Sequence, residues 1–465
     1  MKKNMIIVSL LLMAGSAQAQ WTMDDCISYA VSHALSVQKA TAEVTNAQTD
    51  VGIALSDFLP SVSASTSGQY SWGRNVDPET NTYNTITTFG NSYSLYASLQ
   101  VFDGGQTVNR FRQARLLRRQ SQTQLQQAQD DKAIEVMQKF VDVVYAQQCL
   151  ALAEEKLGDS RQLLQKTRRM EELGIKSQPD VAQIESQVAE DDYSLTHQQN
   201  QLQAAMLALK SAMNYPVMDS IAISFSRDAS LKRDNSLSSR TSLSSLSSLP
   251  RDTRDASQAR DASFSSDASL FLPRAIAAEQ SVRKAKLDYQ ISKGRLLPSL
   301  SFSAGVSTSY FRNISGGGTA SPFHTQFWDN MGEYVYASLS LPIFDLSRYK
   351  NVRKAKNNIL LSQLERDETM RKLNDEVQQA VMDCEGYRME VEKMARKVQS
   401  DSLAWHLSSR KYEEGMLSTF DLHTASQTLL DARIRLLQTQ MLYLIKQKLV
   451  SYYQTGSLIK RKKLE

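Results

Sequence analysis

Four stretches of the chain alternate with a period of two. From Ser61 to Trp72, one set is small and polar (Ser61, Ser63, Ser65, Ser67, Gln69, Ser71) and the other is Val62, Ala64, Thr66, Gly68, Tyr70 and Trp72. From Ser299 to Tyr310 the same holds, with Ser299, Ser301, Ser303, Ser307 and Ser309 set against Leu300, Phe302, Ala304, Val306, Thr308 and Tyr310. Two returning stretches agree: Tyr93, Leu95, Ala97, Leu99 and Val101 alternate with Ser92, Ser94, Tyr96, Ser98 and Gln100, and Val335, Ala337, Leu339 and Leu341 with Tyr334, Tyr336, Ser338 and Ser340. This pattern predicts strands of about ten residues at about 61–73, 91–102, 299–311 and 333–343, each with one apolar and one hydroxyl face. After each strand pair comes a very different segment. Residues 105–172 and 347–413 hold almost no Gly or Pro and are rich in Ala, Leu, Gln, Lys, Arg and Glu, which predicts helices of roughly 65 residues, ~100 Å each. The apolar positions of the first (Leu116, Leu117, Leu125, Ile134, Met137, Val141, Val144, Tyr145) form a narrow stripe suited to coiled-coil-like packing. Gly174 and Gly415 then turn the chain into shorter helices, 179–213 and 419–456. Leading helices at about 24–57 and 274–296 stop before Pro60 and Pro298.

The two halves say nearly the same thing. Val44, Ala47, Asp50, Ile53 and Leu59-Pro60-Ser61 return as Val282, Ala285, Asp288, Ile291 and Leu297-Pro298-Ser299. Tyr96-Ala97-Ser98-Leu99 returns as Tyr336-Ala337-Ser338-Leu339, Phe102-Asp103 as Phe344-Asp345, and the turn 174–181 as 415–422, at a nearly constant offset. The chain divides into a signal peptide at 1–19, a first repeat at 20–214, an insert at 215–274, a second repeat at 275–456 and a basic tail at 457–465. In the insert, 225–270 is dominated by Ser, Arg, Asp and Ala, with Arg-Asp-Ala-Ser recurring, and lacks the apolar residues for a core. Asp103-Gly104-Gly105-Gln106 reads as the cap of the long first-repeat helix, Asp at the cap and Gln three on.

Composition narrows the class. The chain has 465 residues, a formal charge of +5, 41% apolar residues and a mean hydropathy of −0.40, with no run long enough for a spanning helix. Lys2-Lys3, the apolar stretch 6–13 and Ala17-Gln18-Ala19 predict an export signal cleaved after Ala19. Cys26 lies several residues beyond that site, so no lipid anchor is expected, and three Cys build no disulfide framework. The small charge left after cleavage makes no case for nucleic acid. Five scattered His give no metal-ligand spacing, and no His-Glu-x-x-His, Gly-x-Ser-x-Gly or phosphate loop appears, so neither an enzyme nor a cofactor is expected. The alternating strands fit either a half-exposed soluble sheet or a transmembrane barrel with aromatics (Tyr70, Trp72, Tyr93, Tyr310, Tyr334) at its interfaces. The barrel reading is favoured, and it sets the assembly: four strands cannot close in lipid, so two chains would give 8 and three would give 12.

With these features in place, the sequence resembles the TolC-like outer-membrane efflux channels over nearly the whole mature chain. The resemblance rests on the duplicated halves, the Leu-Pro-Ser junctions, Val101-Phe102-Asp103-Gly104-Gly105, Leu341-Pro342-Ile343-Phe344-Asp345 and the Gly-to-Asp turns at 174–180 and 415–421. It implies a fold that is mainly α with membrane β. That fold is a homotrimer sharing a 12-stranded barrel in outer-membrane lipid and a 12-helix tunnel crossing the periplasm of a Gram-negative bacterium. It also implies passive efflux or type I secretion of substrates handed over by an inner-membrane pump through a periplasmic adaptor. Adaptor docking would fall on Leu173-Gly174-Ile175 and Glu414-Gly415-Met416; a plain helix turn is the alternative there. At the gate, Tyr412 matches a linking tyrosine, Asp421 a first acidic ring position and Asp180 its first-repeat partner. Leu417 stands where the family has a linking arginine, and Thr424 where it has a second acidic ring. The resemblance therefore implies a gate held by packing and by Tyr412. A periplasmic adaptor is the competing function, but it would carry one helical hairpin and not two equivalent halves.

Overall fold

The computed structural model describes residues 20–77, 82–223, 271–315 and 321–456. The expected signal peptide, the core of the insert and the basic tail lie outside the described residues. In chain order the elements are α1 (Met23–His33), α2 (Leu35–Ser56), β1 (Ser61–Asp77), β2 (Thr82–Phe102), α3 (Gln106–Glu172), α4 (Gln178–Met213), α5 (Pro273–Gly294), β3 (Ser299–Asn313), α6 (Phe323–Asp329), β4 (Gly332–Ser340), α7 (Leu346–Glu413) and α8 (Thr419–Thr455). From α2 to α4 and from α5 to α8 the same series recurs, with α6 added in the second. The chain forms two compact units that cut across the repeats: a sheet unit (43–122, 277–367) and a helical unit (the remainder).

In the sheet unit, four antiparallel strands lie in the order β1-β2-β3-β4. The register stacks like with like. Val62, Ala97, Ala304 and Val335 form one apolar row, and Ser61, Ser98, Ser303 and Tyr336 a polar one. Across β1 and β2 the hydroxyls bond directly, Ser61 to Ser98 at 2.9 Å, Ser65 to Ser94 at 2.7 Å and Ser67 to Ser92 at 2.7 Å. The sheet thus has an uncharged hydroxyl lattice on one face and an apolar surface on the other, with Val62, Leu95, Val335 and Leu339 all exposed. Three strands outrun the ten residues expected: β1 has 17, β2 has 21 and β3 has 15, whereas β4 has only 9 and stops before Pro342. The edge of β3 that β4 leaves open is covered by α6, which the sequence pattern does not announce. The Gln326 amide accepts from the Phe311 N–H at 2.9 Å and donates to its carbonyl at 3.0 Å, pairing as a strand residue would. Among the described residues, the outer edges of β1 and β4 pair with no further strand.

Where the chain leaves the sheet, Asp103 is the capping residue as expected, but the helix it caps begins at Gln106, two positions later than that cap implies. Asp103 Oδ2 accepts from the Thr107 N–H at 2.8 Å, so Asp103 caps a helix whose first residue is Gln106, and the Gln106 amide returns to the Asp103 carbonyl at 2.8 Å. Gly104 has φ +70°, and a Cβ there would stand 2.2 Å from the Gly294 carbonyl oxygen, so only glycine fits.

The helical unit has its main core where α1, α3, α4 and α8 meet: Cys26, Ala30, Val136, Met137, Phe140, Val143, Val144, Leu209, Met213 and Leu437 are all buried. Around 133–149, α3 is apolar on more than the narrow stripe expected, because Val136, Phe140 and Val143 are buried as well. The single leading helix expected at 24–57 is broken. Ala34 is extended (φ −65°, ψ 132°), and the Asn214 amide caps the His33 carbonyl at 3.1 Å. Asn214 holds the left-handed conformation at φ 57° just past α4, so a residue far along the chain sets the break.

Candidate functional site

The turns α3–α4 and α7–α8 both belong to the helical unit, and both close in the same way. In the first, the Gly174 N–H donates to Glu171 O at 2.8 Å and the Ile175 N–H to Met170 O at 2.8 Å; in the second, Gly415 donates to Tyr412 O at 3.0 Å and Met416 to Lys411 O at 2.8 Å. This double closure needs a left-handed residue, supplied by Gly174 at φ +72° and Gly415 at φ +75°. The next helix is capped alike in each case. The Ser177 hydroxyl and N–H both donate to Asp180 Oδ2, at 2.7 and 3.1 Å. The Ser418 hydroxyl donates to Asp421 Oδ2 at 2.7 Å and accepts from the Asp421 N–H at 3.1 Å.

Three links tie one turn to the other. Tyr412 and Thr167 are both buried, their oxygens 3.0 Å apart. Thr167 spends its single proton on the Leu163 carbonyl at 2.9 Å, so the Tyr412 hydroxyl is the donor between them. The Lys176 ammonium lies 4.3 Å from the centre of the Tyr412 ring and donates to the Leu417 carbonyl at 3.3 Å. Buried Thr419 donates to Asp180 Oδ1 at 2.8 Å. The Ser177 and Thr419 hydroxyls hold the Asp180 carboxyl below its ordinary 3.8. An exposed ion pair, Lys166 with Glu413 at 2.7 Å, adds little.

The candidate residues therefore fall into three groups. Tyr412 and Asp180 are joined across the turns, each through a partner that the sequence reading does not name (Thr167, Thr419). Leu417 is half-buried and contributes its carbonyl, and a cation stands beside it after all, brought by Lys176 from the other turn. Asp421 and Thr424 are exposed and bond within their own helix, Thr424 to the Phe420 carbonyl at 2.9 Å. The turn tips carry Leu173, Ile175 and Met416 at 75, 58 and 73% exposure. Further along the same helices, Lys156 is largely but not fully buried beside Asp191 at 3.8 Å and donates to Gln427 at 2.7 Å. Burial lowers its pKa, opposed by Asp191 and Asp431. It borders a cavity of about 130 Å³ with Asp159, Trp405 and His423. Burial raises the Asp159 carboxyl, and Glu155 raises it further. Among the described residues no cluster of His, Cys, Asp or Glu could hold a metal ion.

Residues 26–215 and 273–450 match the family described as Outer membrane efflux protein. The chain belongs to that family. The two matched segments each span one of the two recurring helix–strand–strand–helix series, α2 to α4 and α5 to α8. Function follows the family: an outer-membrane efflux channel. No curated protein sequence matches the chain. Among solved structures, the fold is similar to that of CusC (TM-score 0.76, 18% identity, 94% of this chain and 92% of that one). It is also similar to VceC of Vibrio cholerae (0.74, 14%, 94% and 97%) and to CmeC of Campylobacter jejuni, an outer membrane channel (0.72, 15%, 95% and 87%). At these identities the likeness establishes the fold alone.

Proposed function

We propose that the chain is the exit duct of a tripartite efflux or type I secretion system in the outer membrane of a Gram-negative bacterium. On this reading three copies close one 12-stranded barrel and one 12-helix tunnel reaching into the periplasm. The observation that carries it is a sheet that, among the described residues, has four strands, an apolar face and two open edges. Unpaired backbone edges find no partner in lipid, so copies of the chain must supply it, β4 of one against β1 of the next. The apolar rows then face lipid and the hydroxyl lattice lines the water-filled lumen, which passes solutes without a charge filter.

The paired turns are the periplasmic gate in this reading. Tyr412, Leu417, Asp180, Asp421 and Thr424 lie at or beside the constriction, held shut by the three links between unlike turns. Asp421 keeps its capping bond and brings three carboxylates near a common axis, a field that attracts cations. The exposed apolar tips Leu173, Ile175 and Met416, flanking Gly174, Glu414 and Gly415, dock a periplasmic adaptor that links the duct to an inner-membrane pump. Native mass measurement in detergent tests the assembly. A trimer is expected, and a stable monomer would contradict the shared barrel.

A further inference from the structure

We propose that the helical segments joining the sheet form a basic collar that binds anionic phospholipid headgroups of the periplasmic leaflet. The inference rests on the outer-membrane reading. From Gln106 to Gln122, α3 carries five Arg and no acid; from Leu346 to Leu364, α7 carries two Arg and three Lys and no acid. Past these points both helices mix signs freely. Each helix has an Asp cap (Asp103, Asp345) but no acid in its first turn, and the bases that follow stand where the helix N-terminus disfavours cations. Arg112, Arg115, Arg118, Lys350, Arg353 and Lys354 are all exposed, and among the described residues none of the six forms an ion pair. Lys293 at the end of α5 and Arg295 just past it are likewise exposed where the chain approaches β3. One of the six has another contact, Arg115 over the Phe111 ring at 5.9 Å.

Position selects the partner. The bases begin four residues inside α3 and two inside α7, each helix starting within a few residues of a strand end. At 1.5 Å per residue the first of them lie within ~15 Å of the sheet's margin, about the depth of a headgroup layer plus one Debye length. Charge complementarity then points to a surface of anionic headgroups. A collar turned toward the lumen would instead act on anionic cargo.

The test uses the full-length channel in nanodiscs of phosphatidylglycerol mixed with phosphatidylcholine, with retained lipids counted by native mass spectrometry. The parent should prefer phosphatidylglycerol by about tenfold at low salt, and the preference should fall toward unity at high salt. The variant Arg112→Gln, Arg115→Gln, Lys350→Gln, Arg353→Gln should lose most of it. A parent preference that is absent or indifferent to salt would overturn the proposal even if the variant fails to fold. A variant that keeps its lipids but shifts the reversal potential in planar bilayers would place the collar in the lumen and overturn it too. A chain that inserts in neither lipid would remove the membrane reading along with the proposal.

Discussion

The α3–α4 and α7–α8 turns are alike in everything that closes a turn and unlike at three positions through which the second faces the first. Gly174 and Gly415, Ser177 and Ser418, and Asp180 and Asp421 correspond one to one. At the same offset, Glu171 corresponds to Tyr412, Lys176 to Leu417 and Gln178 to Thr419. Those three unlike positions supply the second repeat's side of the links. Turn closure is a backbone requirement that each copy meets alone, so duplication preserves it. A link between copies needs a donor on one side and an acceptor on the other, so the copies must differ. The cation absent at Leu417 stands at the equivalent position of the first repeat.

Unequal dependence should appear first in stability. Tyr412→Ala empties a buried aromatic site and should lower the unfolding free energy of the helical unit by about 3–5 kcal/mol, whereas Glu171→Ala should stay within about 0.5 kcal/mol. Urea unfolding followed by circular dichroism checks both, and similar losses would break the comparison. Gly174→Ala and Gly415→Ala should each cost about 1–2 kcal/mol, since both need the left-handed region, and the two costs should match. A large difference would show that the turns are not equivalent in backbone.

A smaller effect is expected from acid. The Asp180 carboxyl is held below its ordinary value, so its stabilising contribution is present above pH ~4 and is lost as the pH falls through the lowered folded value. Thr419→Val removes one of the bonds that lower it, at a cost of about 1 kcal/mol at neutral pH, and should flatten this acid sensitivity. Thermal unfolding between pH 7 and pH 3 would show it; an unchanged pH profile would mean that Asp180 and Thr419 act independently.

Much of this was legible in sequence because it is local. A period of two over serines marks the strands, a shortage of Gly and Pro marks the long helices, and the structure places their ends within a residue or two of the expected 172, 213 and 413. What escaped depends on distant residues. The break at Ala34 is held by Asn214. The lengths of β1 and β2 reflect pairing that continues past Trp72 through polar positions. Helix α6 covers an edge that exists because β4 begins only at Gly332, opposite Ser307, while β3 runs on to Asn313. At the candidate site, Tyr412 and Asp180 were named by the family resemblance, but Lys176, Thr167 and Thr419 carry no local mark. The equivalence of Lys176 to Leu417 would have been the clue, since the two halves align without a gap across the turn.

The central claim is that contacts between unlike turns hold the periplasmic end shut. Single-channel conductance in planar bilayers tests it most directly, with Lys176→Met combined with Tyr412→Phe, which removes the ammonium and the Tyr412 donor while keeping the buried ring. The account predicts a conductance clearly above that of the parent, and a larger rise than from Leu417→Ala, because Leu417 contributes a carbonyl that alanine retains. A conductance equal to the parent's would contradict it.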